Sequence, residues 1–218
     1  MIFTKSMRQR LSYFIKAATV IIMLISVLPV NAKDDVDIYD LTFDENWATP
    51  EIKNDKQADK IQEFQYDMAV AFKKSNYDVE LMRNNEVVVV TIPASQLFEP
   101  NDTTLTSLGE TLLKPFLRMI KNPGVYKMLL VMHSDDTGSS TYTYNLTRQR
   151  VNAIFDWFDE NGSVDYVVPY AMGETDPVVD NNSVENRKRN RRLEIYLIPE
   201  QTMIQQAKKG RISISQNR

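Results

Sequence analysis

The chain is expected to fold as an α/β protein, with helices packed on a mixed β-sheet. Apolar runs of strand length alternate along it with segments whose apolar residues recur at helical spacing. Asn, Gly and Pro punctuate the joints between them. The 218 residues are 43% hydrophobic and 25% charged, which suits one full core with extensions and excludes global disorder.

The first 32 residues read as a secretory signal. Lys5, Arg8, Arg10 and Lys16 form a positive region, Ala17 to Val30 an apolar run, and Val30-Asn31-Ala32 a cleavage site. The apolar run is short for a membrane span, which needs about 20 residues. Residues 33–75 are expected to form a linker and an N-terminal helix. The linker part is acidic and irregular with Pro50 inside it, and the helix runs over 55–75 with Ile61, Phe64, Met68, Ala71 and Phe72 on one face and Asp55 as N-cap.

Residues 76–199 are expected to be the main domain. A hairpin is predicted over 78–92, turning at Arg83-Asn84-Asn85-Glu86, with Val87 to Val90 buried on both faces. A helix over 104–122 carries Leu105, Leu108, Leu112, Phe116 and Ile120 inward, and Pro115 should kink or split it. A core strand over 127–132 follows, then a helix over 147–161 ending at Asn161-Gly162, a strand over 166–171, a loop over 176–186 and a closing strand over 193–198. A tail over 200–218 begins with a short helix at 201–209.

Cleavage after Ala32 would remove four of the 26 basic residues and none of the 29 acidic ones, leaving a net charge of −7. So acidic a product is a poor general binder of polyanions, and the basic run Arg187-Lys188-Arg189-Asn190-Arg191-Arg192 does not read as a nucleic-acid patch. There is no cysteine, hence no disulfide and no cysteine for lipid attachment.

The most informative stretch is His133-Ser134-Asp135-Asp136-Thr137-Gly138-Ser139, followed by Leu146-Thr147-Arg148-Gln149-Arg150 and by Asn190-Arg191-Arg192-Leu193-Glu194-Ile195. It offers one acid, Asp135, at a strand end and two bases, Arg150 and Arg191, from elsewhere. Such a set suits a ligand bearing both an ammonium and a carboxylate. A plain ion pair between Asp135 and Arg150, tying loop to helix, is the structural alternative. A catalytic triad at His133-Ser134-Asp135 is disfavoured, because strand neighbours point to opposite faces. A calcium loop over Asp135 to Gly138 lacks the required spacing of acids. No metal, cofactor or enzymatic activity is expected.

These motifs resemble the OmpA-like C-terminal domain family, which includes peptidoglycan-associated lipoproteins and the periplasmic part of MotB. The resemblance covers about residues 86–199 and begins at Leu97-Phe98-Glu99-Pro100-Asn101. His133-Ser134-Asp135 stands where the family reads Gly-His-Thr-Asp, and Leu146 to Arg150 matches Leu-Ser-x-x-Arg. Gly173-Glu174 and Pro177 match a Gly-x-Gly-Glu-x-x-Pro loop, with Ala171 at its first Gly. Asn190 to Glu194 matches the closing Asn-Arg-Arg-Val-Glu.

The resemblance implies a βαβαββ domain, here with an extra N-terminal helix and hairpin, that binds peptidoglycan without catalysis through the diaminopimelate of the stem peptide. Carried across, Asp135 would take the ammonium and Arg150 the carboxylate. Asn101, Thr137 and Arg191 would add contacts, and Thr143 is an additional candidate. Met132, at a family Gly, and Thr143, at a family Asn, could narrow the pocket or remove a contact; Thr147 and Val151 are milder departures. It further implies a periplasmic protein of a Gram-negative envelope, associated with the outer membrane through a partner on residues 33–75 or the C-terminal tail. The chain itself is not a β-barrel. The alternatives are an envelope interaction protein with a weakened or lost wall site, and an uncleaved anchor over residues 11–30.

Overall fold

A five-stranded mixed sheet in the order β1-β2-β5-β3-β4 organises the protein. The computed structural model describes residues 37–214, so the expected signal segment lies outside the described residues. The elements belong to one compact unit starting at Ile38. They are α1 (Phe43–Ala48), α2 (Asp55–Lys74), β1 (Asp78–Met82), β2 (Val87–Pro93), α3 (Ala94–Leu97), α4 (Ser107–Leu113), a 3₁₀ turn (Lys114–Phe116), α5 (Leu117–Ile120), β3 (Tyr126–His133), α6 (Ser140–Asn161), β4 (Val167–Gly173), α7 (Val184–Asn190), β5 (Arg192–Pro199) and α8 (Gln201–Lys208). Among the described strands, β3 and β4 pair in parallel, while β1–β2, β2–β5 and β5–β3 are antiparallel. The expected α/β class and mixed sheet are what the chain forms.

Most expected elements fall where the periodicity placed them. Asn84 and Asn85 turn the β1–β2 hairpin with positive φ, which Asn tolerates better than most residues. Pro115 divides the 104–122 segment into α4, a 3₁₀ turn and α5. The N-cap of α2 is Asn54, one residue before the expected Asp55, and its side chain accepts from the Gln57 N–H. At the end of α6, Gly162 is extended, and a Cβ there would lie 2.7 Å from Ile120 Cδ1, so that side-chain tip would have to shift.

Three differences matter more. Helix α6 starts at Ser140, seven residues before its expected start, because Ser139 caps it by accepting from the Tyr142 N–H. The 176–186 loop is shorter than expected, since Ser183 caps α7 at Val184. The third lies in the N-terminal region read as irregular, where α1 forms behind a capping box between Thr42 and Glu45.

The sheet is buried on both faces. One face packs against α2, α4–α6 and α8 around Leu130, Met132, Ile195, Leu197, Phe116, Ile154 and Phe158. The other carries Val87, Val89, Leu129, Val131, Val168, Tyr196 and Ile198, and is covered by Ile38, Phe43 and Trp47. Phe43 and Trp47 sit four residues apart on α1 and make edge contacts with Tyr196 at 5.4 and 5.3 Å. Buried Asn46 donates to Ile38 O and Tyr170 Oη at 2.6 and 2.7 Å, and Tyr170 Oη donates to Leu41 O. Arg83 donates to the carbonyls of Trp47 and Pro50 and lies over the Trp47 ring. Residues 38–50 are thus a fastened strap.

Lys127 lies beneath this strap, with Nζ donating to Thr49 Oγ1 at 3.1 Å. Burial pushes its pKa down to about 8, while Glu200 pulls it up and Arg83 pushes it down. Below pH 8 the folded protein carries this charge at a desolvation cost. Between about 8 and its unfolded value near 10.5, the unfolded chain holds a proton that the folded chain has lost, so stability from this group rises with pH. Lys127→Met is therefore expected to stabilise the protein at pH 7 by about 1–3 kcal/mol, with the advantage shrinking as pH rises through that window. Denaturation of both proteins at pH 7 and 10 checks this; a pH-independent difference would contradict it.

Candidate functional site

β3 ends in the loop that presents Asp135. The Ser134 N–H donates to Gly173 O at 2.7 Å, holding the loop against the end of β4. Gly173 has φ +54, and a Cβ there would lie 3.1 Å from the Tyr144 nitrogen, so glycine lets β4 approach α6. Thr147 Oγ1 accepts from the Gly173 N–H, locking the same junction.

Asp135 is only 2% exposed. Its Oδ1 accepts the Thr137 N–H at 3.0 Å, and its Oδ2 accepts from Arg191 Nη1. Its carboxylate is thus matched to Arg191. No ion pair joins Asp135 to Arg150 among the described residues.

Arg150 is 6% exposed and lies on α6, ten residues along from Ser140. Its Nε donates to Asp102 O at 2.8 Å and its Nη2 to Glu99 O at 3.2 Å, with the guanidinium over the Phe98 ring at 5.0 Å. These contacts pin the 98–102 loop to the helix. Among the described residues no carboxylate lies within ion-pair distance of it. Burial acts against its charge, and nearby Arg191 does so too. Tyr142 and Asp102 act the other way, but no carboxylate among the described residues is in ion-pair contact with it. Because α6 begins so early, Arg150 stands about 15 Å along the helix from its first residue. A helix starting at residue 147, as expected, would have put its N-terminus beside the guanidinium; the observed start at Ser140 does not.

Asn101 is exposed, takes a positive φ, and accepts from Tyr142 Oη at 3.1 Å. Thr137 is exposed and meets Asp135 through its backbone. Thr143 is fully buried, its hydroxyl bonded to Ser140 O at 3.1 Å and to Glu174 Oε2 at 3.4 Å. Met132 packs in the helix-side core at 0% exposure. The structure thus gathers Asp135, Thr137 and Arg191, sets Arg150 of α6 against the 98–102 loop that carries Asn101, and places Thr143 inside the packing. Sequence reasoning passed over Tyr142. It lies just over two turns before Arg150 on α6, but that stretch was read as loop.

Asn190 is fully buried and organises the approach to Arg191. Its Oδ1 accepts the N–H groups of Val178 and Val179, and its Nδ2 donates to Val179 O and Asn181 Oδ1. On the strap-side face, His133 lies with Nε2 3.5 Å from Glu194 Oε2 and Nδ1 3.9 Å from Asp176 Oδ2. Its pKa is pushed down by burial and by Arg192. It faces those acids and not Ser134, so no nucleophile–base pair forms there.

Residues 97–191 match the OmpA family. Probable lipoprotein YiaD of Escherichia coli (strain K12) is 22% identical over 122 residues, 56% of this chain and 56% of that protein. Outer membrane protein A of Bordetella avium is 24% identical over 110 residues, 50% and 57% of the two chains. The chain thus spans a little over half the length of these relatives. Among solved structures, a MotB-like protein from Desulfovibrio vulgaris superposes with a TM-score of 0.58 at 21% identity, covering 66% of this chain and 99% of that one. The cell wall anchor of the T6SS from Pseudomonas aeruginosa gives 0.50 at 26% identity, covering 61% and 94%.

Proposed function

We propose that the OmpA-family domain over residues 97–191 is a non-catalytic module that binds peptidoglycan in the bacterial envelope by the diaminopimelate of the stem peptide. The observation that carries this reading is the buried Arg150 guanidinium, held by two carbonyls and a ring with no carboxylate partner among the described residues. It stands beside the Asp135–Arg191 pair, so cationic and anionic groups converge on one loop cluster. Asn101 and Thr137 lie exposed at its rim. Thr143 contributes by packing under Glu174 and not by touching ligand. The similarity to a protein named a cell wall anchor supports the same reading.

The protein would act in the periplasm, tethering the wall to another envelope component. Residues 33–75 and the C-terminal tail are the surfaces proposed for an outer-membrane partner, although the strap part of 33–75 also serves the fold. The signal over 1–32 belongs to the same proposal.

Co-sedimentation with purified sacculi tests it. Diaminopimelate-type sacculi should retain the protein, and lysine-type sacculi, whose stem lacks the extra carboxylate, should retain about tenfold less. Equal retention on both would overturn the diaminopimelate assignment, and no retention on either would leave an envelope interaction protein without a wall site.

A further inference from the structure

Asp135 is shielded from an incoming ligand as it stands. Its side chain is 3% exposed, and both oxygens are already bonded, one to the Thr137 N–H and one to Arg191. Of these partners Arg191 is a side chain with room to leave, being 36% exposed, whereas the Thr137 N–H is backbone two residues along in the same loop. Its backbone is fixed on both sides: its N–H donates to Arg187 O at 3.1 Å and its carbonyl accepts from Ala94 N–H at 2.9 Å. The guanidinium can therefore swing on its own side chain while β5 and α7 stay in place.

We propose that Arg191 is a built-in stand-in for the ligand's cation, occupying Asp135 until an incoming ammonium exchanges with it. This deepens the wall-binding reading above and rests on it. The exchange sets the site's selectivity. An ammonium seated on Asp135 releases Arg191 as an unmatched cation next to Arg150, itself without a carboxylate partner among the described residues. Two guanidiniums then face one opening, and the exchange is complete only if the ligand brings a carboxylate with its ammonium. A simple amine leaves both cations unmatched. A simple dicarboxylate leaves Arg191 locked on Asp135 and finds Arg150 alone. The arrangement selects a zwitterion through the coupling of two half-sites.

The test uses the full chain and three small probes: meso-diaminopimelate, pimelate, which keeps the two carboxylates without the amines, and cadaverine, which keeps the two amines without the carboxylates. Titration calorimetry at low ionic strength should show the wild type binding diaminopimelate at least about tenfold more tightly than either analogue. Arg191→Gln, which uncovers Asp135, should bind cadaverine about tenfold more tightly than wild type does. Side-chain nitrogen resonances give a second readout in the unmodified protein: diaminopimelate should shift the Arg191 guanidinium signal, and pimelate should not.

Unchanged or weaker cadaverine binding by Arg191→Gln would overturn the proposal, as would displacement of the Arg191 signal by pimelate. Absence of diaminopimelate binding to the wild type would overturn it too. If the small probes behave as expected while sacculi are not retained, the exchange stands and the wall reading fails. If sacculi are retained while cadaverine binding is unmoved, the reverse holds.

Discussion

Glu194→Leu is expected to destabilise the domain by about 3–5 kcal/mol, because it removes the buried carboxylate of the Arg192 guanidinium and leaves it only the half-exposed Asp176 carboxylate, 3.6 Å away. Glu194 and Arg192 alternate along β5 on the strap-side face, with 1% and 3% side-chain exposure. Arg192 Nε donates to Glu194 Oε1 at 2.8 Å, and its other nitrogens donate to Asn190 O and Asp176 O, both at 3.2 Å. Tyr196 Oη donates to Glu194 Oε2 at 2.5 Å. Deleting the carboxylate leaves Arg192 without that buried counter-charge and the Tyr196 hydroxyl without that acceptor. For a domain of this size the loss corresponds to a melting temperature lower by about 10 °C. Arg192→Met should cost a similar amount. The double variant Arg192→Met/Glu194→Leu should recover much of it, since apolar groups of similar volume need no desolvated partner. Chemical denaturation of the three variants checks the cycle, and single-variant losses below about 1 kcal/mol would contradict the role given to this pair.

Arg150→Ala should lower retention on diaminopimelate-type sacculi by about tenfold to a hundredfold, the range for losing a charge-assisted hydrogen bond. Two effects act together. The ligand carboxylate loses its cation, and the 98–102 loop loses the two carbonyl contacts that fix it to α6. Arg150→Lys separates them. It keeps the charge but not the planar fork that spans Asp102 O and Glu99 O, so it should bind between wild type and Arg150→Ala. Thermal melts of the three proteins identify any part of the loss that comes from unfolding. Full retention by Arg150→Ala would remove Arg150 from the site.

Much of the fold is written locally. Val87 to Val90 and Met128 to Met132 are continuous apolar runs, and each becomes a strand covered on both faces. What covers the second face was not legible. α1 has six residues in an acidic segment, and its meaning rests on Phe43 and Trp47 meeting Tyr196, about 150 residues away in the chain. The start of α6 was hidden by Thr141, Tyr142, Thr143 and Tyr144, which have modest helix propensity, and a single serine cap overrides them. In the site, the residue types were legible and the pairing was not. Asp135 and Arg150 are joined by sequence logic, but the side chain that meets Asp135 is Arg191, brought there by the α7–β5 junction that Asn190 holds. Arg150 is held by main-chain carbonyls, which no side-chain pattern reveals.

The most direct test of the central claim is an amide and side-chain resonance map of the isotope-labelled protein titrated with a soluble diaminopimelate stem peptide. Binding at the proposed site predicts shifts confined to residues 98–102, 134–150, 173–174 and 190–191, abolished in Arg150→Ala. Shifts centred on the strap over residues 38–50, or an unchanged spectrum at saturating peptide, would contradict it.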